Sequence, residues 1–295
     1  MVFGRLLTAM VTPFDQHGEV DEKQIKPLVD HLIHTGTEGL VVSGTTGESP
    51  TLSKSEKLAL FEMVLEATDG RVPVIAGTGS NNTADTVALT KEVEKLGVEG
   101  VLLVSPYYSK PNQSGLYEHF KTIAQSVHIP IMLYNVPGRT ASNLEADTVV
   151  KLAALDNVVC IKEASGDLSQ MAQIIERTSD DFVVYSGDDA LTLPVLSIGG
   201  YGVVSVASHV VGQQMQQMIH DFIDGNVKEA AQTHRLLLPI MKQLFAQPSP
   251  VPVKALLNQL GVSVGGVRLP LVGLSDTEQA ELSQVYQQFT DKFSE

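Results

Sequence analysis

Cysteine is nearly absent: Cys160 is the single one among 295 residues. No intrachain disulfide can form, which fits a reducing compartment such as the cytosol. Cys160 sits inside the apolar run Val158-Val159-Cys160-Ile161, where a small core residue is expected rather than a nucleophile. Cations are also scarce: 20 Lys and Arg against 34 Asp and Glu leave a formal charge of −14. No basic stretch stands out, which excludes a nucleic-acid surface built from clustered Lys and Arg. The acidity favours solubility, and any anionic substrate must be held by a few local cations or backbone N–H groups. No apolar run reaches the length of a bilayer, so no membrane span is expected. Met1–Phe14 carries one arginine and a short apolar run ending at Thr12-Pro13, with no small-residue cleavage pattern, so no signal peptide is expected either.

What the chain does have is apolar content, 43% of its residues, enough for a sizeable core in one large domain or two small ones. Short apolar runs recur: Leu6–Val11, Gly39–Ser43, Val72–Gly77, Val101–Val104, Ile129–Tyr134, Val158–Ile161, Phe182–Tyr185 and Val203–Val206. Most are apolar throughout rather than alternating, as in strands buried on both faces of a parallel sheet. The segments between them carry helical spacing: Ile25, Leu28, Val29, Leu32 and Ile33 form one stripe over Asp21–His34. Ser53-Lys54-Ser55-Glu56 reads as a capping box opening a helix through Ala67. Eight β/α units in sequence predict a closed (β/α)8 TIM barrel over residues 1–224. An open doubly wound sheet is the alternative. The chain then continues too far for one closing helix. Asn226–Phe245, Val253–Leu260 and a last segment capped at Ser275-Asp276-Thr277-Glu278 predict a helical appendix over 225–295.

In such barrels active sites form where strands end and βα loops begin. The sixth run ends at Lys162, followed by Glu163-Ala164-Ser165-Gly166-Asp167, which reads as a buried strand breaking into a loop. Burial of a lysine disfavours its charged form, and a neutral amine can attack a carbonyl. The plain alternative is a lysine that snorkels to the surface. The second run ends in Ser43-Gly44-Thr45-Thr46-Gly47-Glu48: two glycines free the backbone to offer N–H groups, with two hydroxyls between them. That suits a carboxylate, although an ordinary glycine turn has the same composition. The fourth ends in Ser105-Pro106-Tyr107-Tyr108 and the fifth in Tyr134-Asn135-Val136-Pro137-Gly138-Arg139. The seventh ends in Ser186-Gly187-Asp188-Asp189. Hydroxyls, phenols, an amine and a guanidinium therefore converge on one rim.

The segments Gly44–Glu48, Tyr134–Thr140, Val159–Glu163, Ser186–Ala190 and Gly199–Val206 together resemble the pyruvate-dependent class I aldolases. Dihydrodipicolinate synthase and N-acetylneuraminate lyase typify that family, and the likeness runs nearly end to end. The resemblance implies a Schiff base between Lys162 and pyruvate, with the pyruvate carboxylate held by Thr45 and Thr46. It implies a proton relay of Thr46, Tyr134 and Tyr108, the last reaching in from a neighbouring subunit. Gly187 and Val204 match further substrate-binding positions. Arg139, after the Asn-Val-Pro-Gly turn, marks synthase-like members, in which it receives the carboxylate of L-aspartate 4-semialdehyde, as a bidentate guanidinium can. Lyase-like members lack this Gly-Arg pair. The implied activity is the pyruvate–aspartate-semialdehyde condensation of lysine and diaminopimelate biosynthesis, in a cytoplasmic homo-oligomer (a dimer, or a tetramer built as a dimer of dimers). No cofactor or metal is implied. Another 2-keto acid aldolase is the alternative. A catalytically dead sensor barrel would be expected to lose Lys162, Tyr134 or the threonines, and none is lost.

Three other patterns are set aside. Gly77-Thr78-Gly79-Ser80-Asn81-Asn82 begins like a dinucleotide loop but lacks the third glycine. Gly187-Asp188-Asp189 stands where many barrels bind phosphate, yet two aspartates repel one, which favours an unphosphorylated substrate. His31 and His34 share a helix end without a third ligand, so solvation is expected rather than metal binding. The resemblance also implies an interface pocket for inhibitory L-lysine at Ser49, Pro50, Lys54, Lys57, Asn81, Asp85 and Tyr107. Lysine-responsive members typically carry histidines where this chain has Lys54 and Lys57, and a glutamate at Asp85. Insensitivity to lysine is therefore expected.

Overall fold

Eight strands, each followed by helical chain, close into a barrel in a computed structural model that describes residues 3–294. Residues 1, 2 and 295, the outermost positions of the two predicted regions, lie outside the described residues. The strands are β1 (Leu6–Ala9), β2 (Gly39–Val42), β3 (Val74–Gly77), β4 (Gly100–Val104), β5 (Ile131–Asn135), β6 (Val158–Glu163), β7 (Val183–Ser186) and β8 (Gly202–Ser205). All neighbouring pairs are parallel, and β1 pairs with β8, Leu7 opposite Val204. That closure excludes the open doubly wound sheet.

Between and after the strands run α1 (Glu22–His34), α2 (Lys54–Thr68), α3 (Thr83–Glu94), α4 (Gln113–Ala124), α5 (Pro137–Thr140) and α6 (Ala146–Leu152). They are followed by α7 (Leu168–Arg177), α8 (Thr192–Ser197) and α9 (Ser208–Ile223). The capping box at Ser53 and Glu56 opens α2 as its sequence predicts. A C-terminal set follows the turn at Gly225: α10 (Val227–Gln243), α11 (Val251–Gln259) and α12 (Asp276–Ser294). Pro252 lies in the first turn of α11 rather than ahead of it, where a missing N–H costs nothing. Among the described residues no helix is long and apolar enough to cross a membrane.

Because strand side chains alternate, each strand feeds two cores. Leu7, Val41, Ile75, Leu102, Met132, Cys160 and Tyr185 fill the barrel interior. Leu6, Leu40, Val74, Leu103, Leu133 and Ile161 pack outward against the helices. Both sets are buried, which is why the strands read as unbroken apolar runs. Cys160 is a core residue, and burial raises its pKa. His31 Nε2 donates to the His209 carbonyl at 2.8 Å, and among the described residues no cluster of His, Cys, Asp and Glu could hold a metal ion.

Candidate active site

Lys162 and Tyr134 stand side by side because the β5–β6 register places them opposite each other. Cys160 and Lys162 share the inward face of β6, so the lysine rises from the packed interior towards the barrel mouth. Lys162 is buried, 6% exposed, and its Nζ lies 4.4 Å from the centre of the Tyr134 ring. The apolar run suggested a strand ending at Ile161, but β6 continues through Lys162 to Glu163. Asn135 opposite Glu163 prolongs the ladder, and Ala164 N–H still donates to the Asn135 carbonyl at 2.8 Å. The amine is thus fixed by strand geometry rather than by a loop. Gly187 flanks it: a Cβ there would approach Lys162 Cγ and Cε at 3.2 Å and Ala164 Cβ at 2.7 Å. Glycine is what leaves room for the lysine stem.

Two lobes of one cleft meet above this pair. The inner lobe, about 660 Å³, is lined by Lys162, Thr45, Thr46, Gly187 and Val206, with Met241, Lys242 and Phe245 contributed by the C-terminal region. The outer lobe, about 310 Å³, is lined by Ser43, Ser49, Lys57, Ser80 and Tyr107 among others. Thr45, Tyr134, Val136 and Arg139 line both. Arg139 is exposed on the short α5 and has no ion partner among the described residues, so its guanidinium is free to receive an anion at the mouth. The cleft therefore joins a buried amine, a phenol, two threonine hydroxyls and a free guanidinium.

Two expected residues stand apart from that group. Tyr108 is 91% exposed and turned into solvent from the β4 loop, with Tyr107 rather than Tyr108 lining the cleft. Val204 lies in the packed barrel interior, and Val206, two residues on along the chain, reaches the cleft instead. The glycine reading of the β2 loop also changes. Ser43 (φ 55°) and Glu48 (φ 54°) adopt the left-handed conformation, while neither Gly44 nor Gly47 does. Gly47 is needed for close approach: a Cβ there would meet Met10 O and Ser43 N at 3.1 Å.

Sequence reasoning missed two buried groups that support the site. Glu163, beside Lys162 but facing away from the lumen, accepts from Asn135 Nδ2 (3.0 and 3.1 Å), Ser165 N (2.8 Å) and Gln170 Nε2 (3.0 Å). Burial pushes its pKa up despite those donors. Lys254, on α11, is as deeply buried as any core residue and pairs with Glu48 at 3.1 Å. The only available sign of either was a charge set among apolar neighbours, as in Pro252-Val253-Lys254-Ala255-Leu256.

A model of the dihydrodipicolinate synthetase family matches residues 2–289. The 4-hydroxy-tetrahydrodipicolinate synthase of Bacillus subtilis (strain 168) is 58% identical over 284 residues, 96% of this chain and 98% of the relative. The crystal structure of a dihydrodipicolinate synthase from Bacillus anthracis superposes with a TM-score of 0.96 at 53% identity, covering 97% of this chain and 98% of that one. The Cyanidioschyzon merolae enzyme, solved with lysine bound, gives a TM-score of 0.96 at 48% identity, covering 98% of both chains. With its catalytic-type cleft at the barrel mouth and this likeness along almost its whole length, the chain belongs to the dihydrodipicolinate synthetase family of (β/α)8-barrel lyases.

Proposed function

We propose that this enzyme condenses pyruvate with L-aspartate 4-semialdehyde to give 4-hydroxy-tetrahydrodipicolinate and water. The observation that carries the reading is the Lys162 amine, buried at the cleft floor against Tyr134 with Thr45, Thr46 and Arg139 around it. The amine adds to the pyruvate keto carbon, and loss of water gives an imine. The iminium acts as an electron sink, so a methyl proton can leave to form an enamine. A phenol poised at the amine, Tyr134, suits that proton traffic in a site shielded from water. The enamine carbon attacks the aldehyde, whose oxygen takes up a proton. The substrate's own amino group then displaces Lys162 from the imine, closing the ring and freeing the lysine.

Thr45 and Thr46 hold the pyruvate carboxylate with hydroxyl and backbone N–H groups. Arg139 at the mouth receives the carboxylate of the second substrate, a pairing that a guanidinium makes in bidentate fashion. Two substrates that each bring a carboxylate to a chain of formal charge −14 need such local cations. Tyr107 and Tyr108, exposed beside the cleft, support a homo-oligomer in which Tyr108 completes the relay of the adjacent subunit. The single, buried Cys160 supports work in the cytoplasm.

L-Lysine is a poor inhibitor in this reading. Lys54 turns away to Glu92, at 2.7 Å, but Lys57 lines the outer lobe without an ion partner among the described residues. A coupled assay decides the substrate: aspartate semialdehyde should outperform other aldehydes, and borohydride with pyruvate should leave a permanent adduct on the chain. Equal turnover of a different aldehyde would favour another 2-keto acid aldolase.

A further inference from the structure

The β2 loop that carries Thr45 and Thr46 is not held by its own hydrogen bonds alone. Its last residue, Glu48, adopts a left-handed conformation that non-glycine residues seldom take unless something holds them there. Glu48 N–H donates to the Thr45 carbonyl at 3.1 Å, so the conformation of Glu48 is passed directly to Thr45. The Glu48 side chain points inwards and is 1% exposed. Its two oxygens are taken by groups from the C-terminal region: Lys254 Nζ at 3.1 Å and the backbone N–H of Arg268 at 2.9 Å.

Lys254 is itself 2% exposed and reaches from α11 across the barrel mouth. It donates to the Thr12 carbonyl at 2.9 Å and lies 4.3 Å from the centre of the Phe14 ring. The Thr12 hydroxyl donates to the Gly47 carbonyl at 2.7 Å, which closes the circuit back to the loop. The Arg268 guanidinium covers the other side, stacked on Phe14 at 4.4 Å and bonded to Thr51 O at 2.9 Å and to Glu56. Two charges this deeply buried are retained only when each satisfies the other, and removing one leaves the second uncompensated. Lys254 lines neither lobe of the cleft, so it has no access to substrate as a second amine.

We propose that Glu48 and Lys254 are positioning residues for pyruvate: their buried pair fixes the Thr45–Gly47 backbone, so the C-terminal region sets affinity for the substrate carboxylate. The inference rests on Thr45 and Thr46 being the carboxylate cradle. The pair touches no reacting atom, so its loss should weaken pyruvate binding and leave handling of the aldehyde almost intact. A solely structural role would lower the melting temperature without that selectivity.

The test compares Glu48→Gln, which keeps size and hydrogen bonding, Lys254→Met, which keeps the stem, and the two combined. Each purified variant is titrated with pyruvate under borohydride and the adduct counted by intact mass, with the melting temperature read in parallel. Steady-state assays add KM for the aldehyde. Either single change should raise half-saturating pyruvate about tenfold, as loss of one charge-assisted contact does. KM for the aldehyde and kcat at saturating pyruvate should stay within about threefold of the parent, an effect below that of one such contact. The double variant should be no worse than the worse single one, because partners in one interaction are not additive. Should Lys254→Met fail to fold, Glu48→Gln alone decides. Unchanged pyruvate half-saturation in the folded variants overturns the inference, as does an equal loss for both substrates. Thr45→Val and Thr46→Val serve as the control. If neither weakens pyruvate, the cradle itself is misassigned. If they do and the pair variants do not, only the positioning role fails.

Discussion

At the scale of single residues, the chemistry turns on which amine is both buried and reachable. Lys162 and Lys254 are both buried, and burial pulls Lys254 down to about pKa 8 against the opposing pull of Glu48. Of these two, Lys162 lines the cleft and Lys254 does not. Lys162→Ala should therefore abolish turnover and borohydride trapping together, and an adduct that persists in the variant would move the nucleophile elsewhere. Arg139 stands on the exposed turn of α5 and should matter for the second substrate only. Arg139→Ala should cost the aldehyde half-reaction about 1.5–3 kcal/mol, the range for a lost charge-assisted hydrogen bond. Trapping of pyruvate should stay close to that of the parent. Equal damage to both half-reactions would remove the assigned role.

At the scale of elements, the eight strands were legible because burial on both faces writes itself as unbroken apolar runs. Capping boxes marked the starts of α2 and α12, where Ser275 and Glu278 exchange bonds as Ser53 and Glu56 do. The cleft was legible where polar residues broke those runs: Thr45, Thr46, Tyr134, Arg139 and Lys162 all line it. What was not legible depends on pairing across long stretches of chain. Nothing near Glu48 announces Lys254, 206 residues away, and nothing near Glu163 announces Asn135, 28 residues away. His209, at the start of α9, is another such group: Val11 N–H donates to its Nε2 at 3.2 Å while its Nδ1–H donates to the Val206 carbonyl at 2.8 Å. Complete burial pulls its pKa from 6.5 to about 4, with His31 nearby opposing the charge further. As pH falls below 6.5 the unfolded chain binds this proton first, so stability is lost between about pH 6.5 and 4 and levels off below. The whole step is worth about 3 kcal/mol by the usual conversion. Melting temperature recorded against pH should fall more steeply in the parent than in His209→Gln, and parallel curves would show that other groups govern the acid limb.

At the scale of the whole molecule, the cleft of a single chain holds the Lys162 amine and the Tyr134 phenol, while Tyr108, the second phenol of the proposed relay, stands outside it. Tyr108 turns outwards from a loop in which it (φ 75°) and Lys110 (φ 47°) take left-handed backbone, a costly arrangement for an isolated surface turn. Mixing a Tyr108→Phe chain with a Lys162→Ala chain should restore activity, since one shared site then has both groups. An active monomer in sedimentation would contradict this. The response to L-lysine is predicted from the same face of the molecule. That ligand brings two ammonium groups to a lobe where Lys57 already presents an amine, half-buried, with its pKa lowered by desolvation. Lys54 does not add to the repulsion, because it swings to Glu92. A like-charge approach to 4 Å costs roughly 1 kcal/mol in water and about 4 kcal/mol at an effective dielectric near 20. The lowered pKa softens that figure without removing it, and even about 1.4 kcal/mol is a tenfold loss of affinity. Asp85, where the family resemblance implies a glutamate in lysine-responsive members, is one methylene shorter and reaches less far toward a ligand amine. Activity measured against rising L-lysine at fixed ionic strength should therefore stay flat through the sub-millimolar range, and strong saturable inhibition there would show that Lys57 yields the lobe to the ligand.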